Sequence, residues 1–242
     1  MILIGVVVGL FAGSGLGWAA EFLLRFSANL RGHSAGNWPR LKFALIELLA
    51  AGVSGSGLGL PESLRLNLGV ELFTALLAAC LLRRYSFSGS LVLPALICLF
   101  LELIAVIDFK YRLVLNVLIF PAIALTLLIN SLTPGSNPLA MVIGGAFGFS
   151  IFAAASFVRP GELGAGDIKL ATWLGLFFGF PDALWALMVG ILTGGIIAVI
   201  LLASRRGTRK SQMPYAPFLC LGALVALFYN PVPLILHSVL GR

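Results

Sequence analysis

The chain is organised around a stretch that reads Gly161-Glu162-Leu163-Gly164-Ala165-Gly166-Asp167-Ile168-Lys169-Leu170 and leads directly into the apolar run 171–178. A carboxylate at the start of such a run is costly in a membrane, where an ionisable residue indicates a functional site and needs a partner. The candidate partner is Asp108, which ends the apolar run 99–107 and is followed by Phe109-Lys110-Tyr111-Arg112. We therefore predict that the two aspartates form one site.

The composition is that of a membrane protein. Of the 242 residues, 60% are hydrophobic and 10% are charged, and the mean hydropathy is +1.07. Apolar runs of about 18 residues or more recur along the chain, and this is the length that a membrane-spanning helix needs. We therefore expect an all-α, polytopic integral membrane protein that forms a single transmembrane domain over residues 1–242.

Apolar length and helix-breaking residues predict eight membrane spans. The sixth is short, because a full crossing needs about 20 residues. The first connection, 27–66, contains the apolar segment 41–51, which is too short to cross and is expected to be an interfacial or re-entrant helix. The Gly/Ser-rich residues 52–59 follow it as a flexible link. The predicted spans are 2–24, 67–82, 90–107, 113–131, 139–158, 168–180, 183–203 and 215–237.

The basic residues indicate the orientation of the chain. A net charge of +7 is compatible with nucleic-acid binding, but the lysines and arginines lie between apolar segments, where they act as topology signals. They are concentrated in the odd-numbered connections, which places those connections in the cytoplasm and the N-terminus outside. Both aspartates are then predicted at the cytoplasmic face. The odd-numbered connections carry Arg25, Arg31, Arg40, Lys42, Arg65, Lys110, Arg112, Arg159, Lys169, Arg205, Arg206, Arg209 and Lys210.

Two carboxylates in one poorly solvated site have a defined chemistry. They cannot both ionise cheaply, so one retains a proton at a pH where an isolated aspartate would not. One can activate a water molecule while the other protonates the carbonyl oxygen or the leaving amine, as in aspartic proteases. No metal or covalent intermediate is needed. Gly164 and Gly166 lack a Cβ, so they are expected to adopt positive φ and to let a substrate backbone pass close to Asp167.

Simpler roles for these residues remain open at this stage. Asp167 is also a favourable N-cap for the sixth span, and Asp108 is also suited to an interfacial pair with Lys110 or Arg112. Lys169 fits either an interaction with lipid headgroups or a role in tuning Asp167. The other acidic and cysteine residues of apolar segments favour structural roles. Glu21, Glu47, Glu71 and Glu102 are expected to be internally paired carboxylates, and Cys80, Cys98 and Cys220 buried packing residues rather than metal ligands.

The motifs resemble those of the type IV prepilin peptidases, a family of membrane aspartic proteases. The residues 164–170 match the family pattern Gly-x-Gly-Asp-hydrophobic-Lys-Leu throughout. The residues 107–116 are similar to the first family motif, in which Ile-Asp is followed by basic residues, Ile or Leu, Pro, and Asp or Asn. Leu115 stands where that motif has proline. The residues 69–77 and 213–219 are similar to two further family segments.

The resemblance implies a function and a set of site residues. It implies a peptidase that removes the short basic leader from prepilins or pseudopilins, whose hydrophobic helix lies in the bilayer of the bacterial inner membrane. Asp108 and Asp167 would be catalytic, and peptidase activity would need no cofactor. No nucleic-acid partner is expected, and the oligomeric state is not indicated. Residues expected to shape the site or bind substrate are Gly164, Gly166, Lys169, Asn116 and Glu71.

One difference from many family members concerns the first connection. Those members carry two CxxC pairs there, which form a zinc-binding insert, and they also methylate the new pilin N-terminus with S-adenosylmethionine. The residues 27–67 contain no cysteine, so the zinc insert is absent, and S-adenosylmethionine would be needed only if methylation is retained. The competing functions are a secondary transporter with a carboxylate ion or proton relay and a non-catalytic membrane scaffold.

Overall fold

The computed structural model describes residues 12, 15, 16, 19, 22, 23, 62–85, 91–158, 163–204 and 214–232. Regular structure in this part of the chain is helical, without any β-strand, which confirms the all-α prediction. The segments 41–51 and 52–59, and most of the first predicted span, lie outside these residues. The helices with both ends described are α1 (Glu62–Tyr85), α2 (Val92–Tyr111), α3 (Asn116–Leu132), α4 (Pro138–Val158), α5 (Ala165–Phe178), α6 (Asp182–Ala203) and α7 (Ala216–Phe228).

Three of these helices are long and apolar enough to cross a membrane. They are α2, α4 and the part of α6 from Asp182 to Leu201. Large apolar side chains such as Leu96, Val142 and Ile196 are exposed on them, as expected where lipid is the solvent. This confirms a polytopic membrane protein, whereas the number of eight spans stays a prediction. The shorter apolar helices are α3 and α7.

The chain divides into two compact units, residues 1–106 and 107–242. In the first unit, Ala75, Leu77 and Leu81 of α1 are buried, as are Cys98, Leu101 and Ile104 of α2. A buried hydrogen bond joins Thr74 of α1 to Glu102 of α2. Whether residues 1–242 act as one peptidase domain stays a prediction.

In the second unit, helix α5 is held against α4 by glycines. A Cβ on Gly144 or Gly148 would overlap the backbone carbonyl of Gly175 or Ala171 on α5, respectively. Small residues allow this close backbone approach between helices in a membrane protein. The packing matters for the site because α5 carries Asp167 in its first turn.

Helix α5 is short because its end is determined by glycine. Gly179 has a φ of 69° and donates its N–H to the carbonyl of Gly175. This is a left-handed conformation that glycine adopts at little cost and that ends helices frequently. The 14 residues of α5 extend for about 21 Å, which is less than the roughly 30 Å of a hydrocarbon core. The short sixth element predicted over 168–180 is therefore confirmed, with bounds about two to three residues earlier.

Candidate active site

Asp108 lies in the last turn of α2 and is 4% exposed. Its Oδ2 atom accepts a hydrogen bond of 3.2 Å from the backbone N–H of Ala216, the first residue of α7. The N-terminus of a helix carries free N–H groups and a partial positive charge, so it stabilises a carboxylate. The structure therefore places Asp108 in a buried position at a helix N-terminus, where the charge of Arg112 also acts on it.

The segment after Asp108 turns without the proline of the family motif. Helix α2 ends at Tyr111, and Arg112 has a φ of 54° and donates its N–H to the Asp108 carbonyl at 2.7 Å. Leu115, where the motif has proline, has a φ of −75° and is buried. Because proline fixes φ near about −65°, Leu115 adopts nearly the same backbone conformation. The buried side chain of Leu115 therefore holds the turn in the conformation that a proline ring would impose.

Asp167 is the third residue of α5 and is 9% exposed. The N-cap of the helix is Gly164, whose N–H donates to Asp167 Oδ2 at 3.3 Å. The alternative that Asp167 is itself the N-cap is therefore wrong. Its carboxylate reaches back over the first turn, in the manner of the acidic residue of a capping box. In the part of the chain that the structure describes, Oδ1 of neither aspartate receives a protein hydrogen bond.

The two aspartates are within electrostatic range of each other. Burial raises the pKa of the Asp167 carboxyl well above its usual range, and the negative charge of Asp108 raises it further, whereas the hydrogen bond from Gly164 lowers it. Tyr215 lies close enough to sense the charge of Asp167, and Cys220, one turn along α7 from Ala216, senses both carboxylates. The structure thus brings together the two aspartates that the sequence paired.

The two glycines of the motif do not adopt the predicted backbone conformation. Gly164 has a φ of −75° and Gly166 lies inside α5, so the expected positive φ is wrong for both. A Cβ on Gly166 would lie 2.7 Å from the Cβ of Val114, which is too close. A Cβ on Gly164 would be in ordinary contact with Asp167 Oδ2, at 3.5 Å. Gly166 therefore admits the segment after α2, and Gly164 keeps the approach to the Asp167 carboxylate open.

Lys169 contacts the beginning of α3. Its Nζ atom donates to Asn116 Oδ1 at 2.9 Å and lies 5.3 Å from the ring centroid of Phe120. Residues two apart on a helix face different directions, so this side chain leaves α5 on another side from Asp167. The ammonium of Lys169 therefore contacts α3, and it does not pair directly with Asp167.

The other acidic and cysteine residues lie elsewhere. Glu102 is 2% exposed, and its partner is Thr74, as expected for an internally paired carboxylate. Glu71 belongs to the same unit, and its role in substrate binding stays a prediction. Cys98 and Cys220 are buried, but Cys80 is exposed, so its prediction as a buried packing residue is wrong. The described residues contain no cluster of three metal-ligating side chains.

Sequence reasoning did not find the part of the site contributed by α7 and by the turn after α2. Ala216, Val114 and Tyr215 received no role and Cys220 only a packing role, although all of them lie close to an aspartate or to the motif. One signal was present, because Pro214 and Pro217 bracket the start of α7, and proline is favoured in the first turn of a helix. The two prolines predict where α7 begins, but they do not indicate which carboxylate lies at its N-terminus.

Comparison with known proteins shows what the part of the chain that carries this site is similar to. Residues 95–199, which include both aspartates, match the type IV leader peptidase family. No solved structure matches the chain at a comparable level of significance.

Relatives with curated names carry the same assignment. The chain is 30% identical over 163 residues to the "Prepilin leader peptidase/N-methyltransferase" of Bacillus subtilis (strain 168), over 66% of this chain and 64% of that protein. It is 28% identical over 204 residues to the protein of the same name from Pseudomonas aeruginosa, over 82% of this chain and 69% of the relative. The chain thus spans slightly less than two thirds of the Bacillus protein.

Proposed function

We propose that the protein is a membrane aspartic endopeptidase that removes the leader peptide from type IV prepilins or pseudopilins, with Asp108 and Asp167 as its catalytic pair. The observation that carries the proposal is the geometry of this pair. Two buried carboxylates from distant parts of the chain interact electrostatically, and each is held by a backbone N–H through Oδ2. The match of residues 95–199 to the type IV leader peptidase family supports the same function.

The pair is suited to hydrolysis when it carries one proton. The ionised carboxylate takes a proton from a water molecule as the water oxygen bonds to the scissile carbonyl carbon. The protonated carboxyl assists by hydrogen bonding to the carbonyl oxygen. As the carbon–nitrogen bond breaks, a proton passes to the leaving amine, and the products are a free carboxylate and a free amine. The raised pKa of Asp167 favours this singly protonated state toward neutral pH.

The charge pattern supports a cytoplasmic active site in the bacterial inner membrane. The basic residues of the odd-numbered connections place Asp108 and Asp167 on the cytoplasmic side, with the N-terminus outside. A substrate with a basic leader in the cytoplasm and an apolar helix in the bilayer would present its cleavage segment at that level. The substrate would enter laterally between helices, and the missing Cβ of Gly164 would leave room beside Asp167.

Cleavage in this scheme needs no cofactor. The relatives are also named as N-methyltransferases, and methylation of the new N-terminus would require S-adenosylmethionine as a methyl donor. The absence of the two CxxC pairs from 27–67 leaves cleavage as the activity that we propose.

The test is prepilin cleavage by purified protein in bilayers, in the presence of a metal chelator. We compare the parent with Asp108→Asn and Asp167→Asn, because asparagine preserves the shape and can accept the same backbone hydrogen bond but cannot transfer the proton. Each variant is expected to lose cleavage to the background level. Asp182→Asn is the matched control, since Asp182 also lies in the first turn of an apolar helix but not in the site, and it is expected to cleave like the parent.

Two results would overturn the proposal. Retained cleavage in both folded variants would show that the pair is not catalytic, and Asp167 would then serve only the start of α5. A parent protein that cleaves none of several prepilins would exclude the proposed activity, and ion-driven uptake into vesicles would then be measured to test the transporter alternative.

A further inference from the structure

Residues 114 and 116, at the end of the α2–α3 connection and the start of α3, contact the beginning of α5 at two points. Val114 packs where Gly166 has no side chain, with a distance of 2.7 Å between its Cβ and a hypothetical Cβ on the glycine. Asn116 accepts a 2.9 Å hydrogen bond from Lys169. The two contacts are independent, because one depends on a missing side chain and the other on an ammonium and an amide.

The side chain of Lys169 fits this position along its whole length. Asn116 and Phe120 are four residues apart on α3, so they lie on one face of that helix. The ammonium donates to the first and lies 5.3 Å from the ring centroid of the second, a distance at which a cation interacts with an aromatic ring. Lys169 therefore binds the first turn of α3 through both polar and aromatic contacts.

The contact between Asn116 and Lys169 connects the two aspartates through two short segments of the chain. Asp167 is two residues before Lys169 on α5, and Asp108 is connected to Asn116 by one helical turn and the four residues 112–115. Arg112 donates its N–H to the Asp108 carbonyl, which limits the freedom of that connection. A displacement of Asn116 relative to Lys169 would therefore move one aspartate relative to the other.

We propose that Lys169 and Asn116 form a positioning pair that sets the separation of Asp108 and Asp167. The inference rests on the proposed peptidase function, and it gives these residues a role through the aspartates instead of direct contact with substrate. The long side chain of Lys169 reaches Asn116 without a closer approach of α5 to α3.

The first experiment is a double-mutant cycle on prepilin cleavage. Lys169→Met retains the length of the side chain without a donor, and Asn116→Ala removes the acceptor. Each single variant is expected to lower kcat on the order of 10²-fold, the effect of a displacement of about 1 Å in an active site, with little change in KM. The kcat of the double variant is expected to be no lower than that of the less active single variant, because both changes break the same interaction.

A control separates positioning from general loosening of the two helices. Thr126 accepts a hydrogen bond of 3.0 Å from Trp173 Nε1, also between α3 and α5, but about 15 Å along α3 from Asn116. Thr126→Val is expected to leave kcat within about twofold of the parent. An equal loss of kcat in this variant, or additive losses in the cycle, would overturn the proposal. A loss confined to KM would also do so, since it would indicate substrate binding.

A second readout does not depend on cleavage. Infrared titration follows the protonated-carboxyl band that disappears in Asp167→Asn, and the charged or titratable groups that face Asp167 are Asp108, Tyr215 and Cys220. If Lys169→Met separates the aspartates, the repulsion from Asp108 decreases and Asp167 loses its proton at lower pH than in the parent. An unchanged titration would overturn the positioning role. A shifted titration in a protein that cleaves no prepilin would uphold positioning and reject the peptidase.

Discussion

The two units bury carboxylates in different ways. In the first unit, Glu102 is accompanied by one side chain, the hydroxyl of Thr74, at 2.7 Å, and its Oε2 atom has no partner among the described residues. In the second unit, Asp108 and Asp167 each receive a backbone N–H at the start of a helix. Glu102 is part of a local pair with one hydroxyl, whereas the N–H groups stabilise the ionised form of each aspartate and the second carboxylate favours retention of one proton by the pair.

The hydroxyl of Thr74 makes the contrast sharper. Its oxygen lies 2.7 Å from Glu102 Oε1 and 2.8 Å from the Val70 carbonyl oxygen. A hydroxyl has one proton to donate, so it cannot donate to both acceptors at once. The carboxyl of Glu102 must supply the proton of one bond whenever both bonds exist. Burial alone therefore does not identify a catalytic carboxylate, and the type of donor and the presence of a second carboxylate distinguish the two units.

The largest effect on kcat is expected at Gly166, which lies next to Asp167 and allows the close approach of Val114. Gly166→Ala places a Cβ 2.7 Å from that of Val114, which must push the turn after α2 away from α5. We expect a loss of kcat for prepilin cleavage on the order of 10²-fold. Gly195→Ala is the matched control, because Gly195 lies in α6 with nothing within 4 Å of such a Cβ.

The same contact predicts a rescue. Combining Gly166→Ala with Val114→Gly removes the atom that the new Cβ would meet and is expected to recover part of the lost kcat. A Gly166→Ala variant that cleaves as fast as the parent would show that the close approach of the turn is not needed, and the distinction between the two carboxylate environments would then lose this support.

For the other unit, we expect an effect on stability and not on chemistry. Thr74→Val leaves Glu102 buried without its partner, which costs about 1–3 kcal/mol. Replacing both partners, with Thr74→Val and Glu102→Leu, is expected to recover most of that loss. Thermal unfolding in detergent measures both variants, and Glu102→Gln should cleave within about twofold of the parent. Loss of cleavage in a stable Glu102→Gln protein would mean that Glu102 also takes part in catalysis.

The pH dependence of kcat offers a more subtle test. Because the pKa of Asp167 is raised by burial and by Asp108, its proton is present below that raised pKa and is lost as pH increases through it. Cleavage should therefore decrease on the alkaline side, at a higher pH than an isolated aspartate would give. Tyr215→Phe and Glu102→Gln are expected to leave the position of this decrease unchanged. A shift in either variant would assign the titration to a different group.

The smallest effect is expected at Arg112, which combines a positive charge near Asp108 with a φ of 54°. Arg112→Gly and Arg112→Ala both remove the charge, but only glycine adopts this φ without strain. We expect Arg112→Gly to unfold at a higher temperature than Arg112→Ala, by about 1 kcal/mol or less in free energy. Equal unfolding temperatures would show that this turn stores no strain.

Much of the architecture was predictable from the sequence because it depends on local composition. Apolar runs and breakers predicted the described helices, and the motif 164–170 together with Asp108 predicted the pair of aspartates that the structure brings close together. The sequence did not reveal that Gly166 makes room for Val114, or that the beginning of α7 binds Asp108, because both contacts join residues far apart in the chain. It also suggested positive φ for both glycines, since the need for glycine was visible but its cause, a neighbouring side chain, was not.

The donors to both aspartates are main-chain N–H groups, from Gly164 and Ala216, and this has a consequence for how the sequence can drift. The bond to Asp108 would survive the exchange of Ala216 for any residue of suitable size except proline, which alone lacks the N–H. An essential donor of this kind leaves no signature in the identity of its residue. Proline scanning of the helix starts, in place of alanine scanning, would reveal the contacts on which such sites depend.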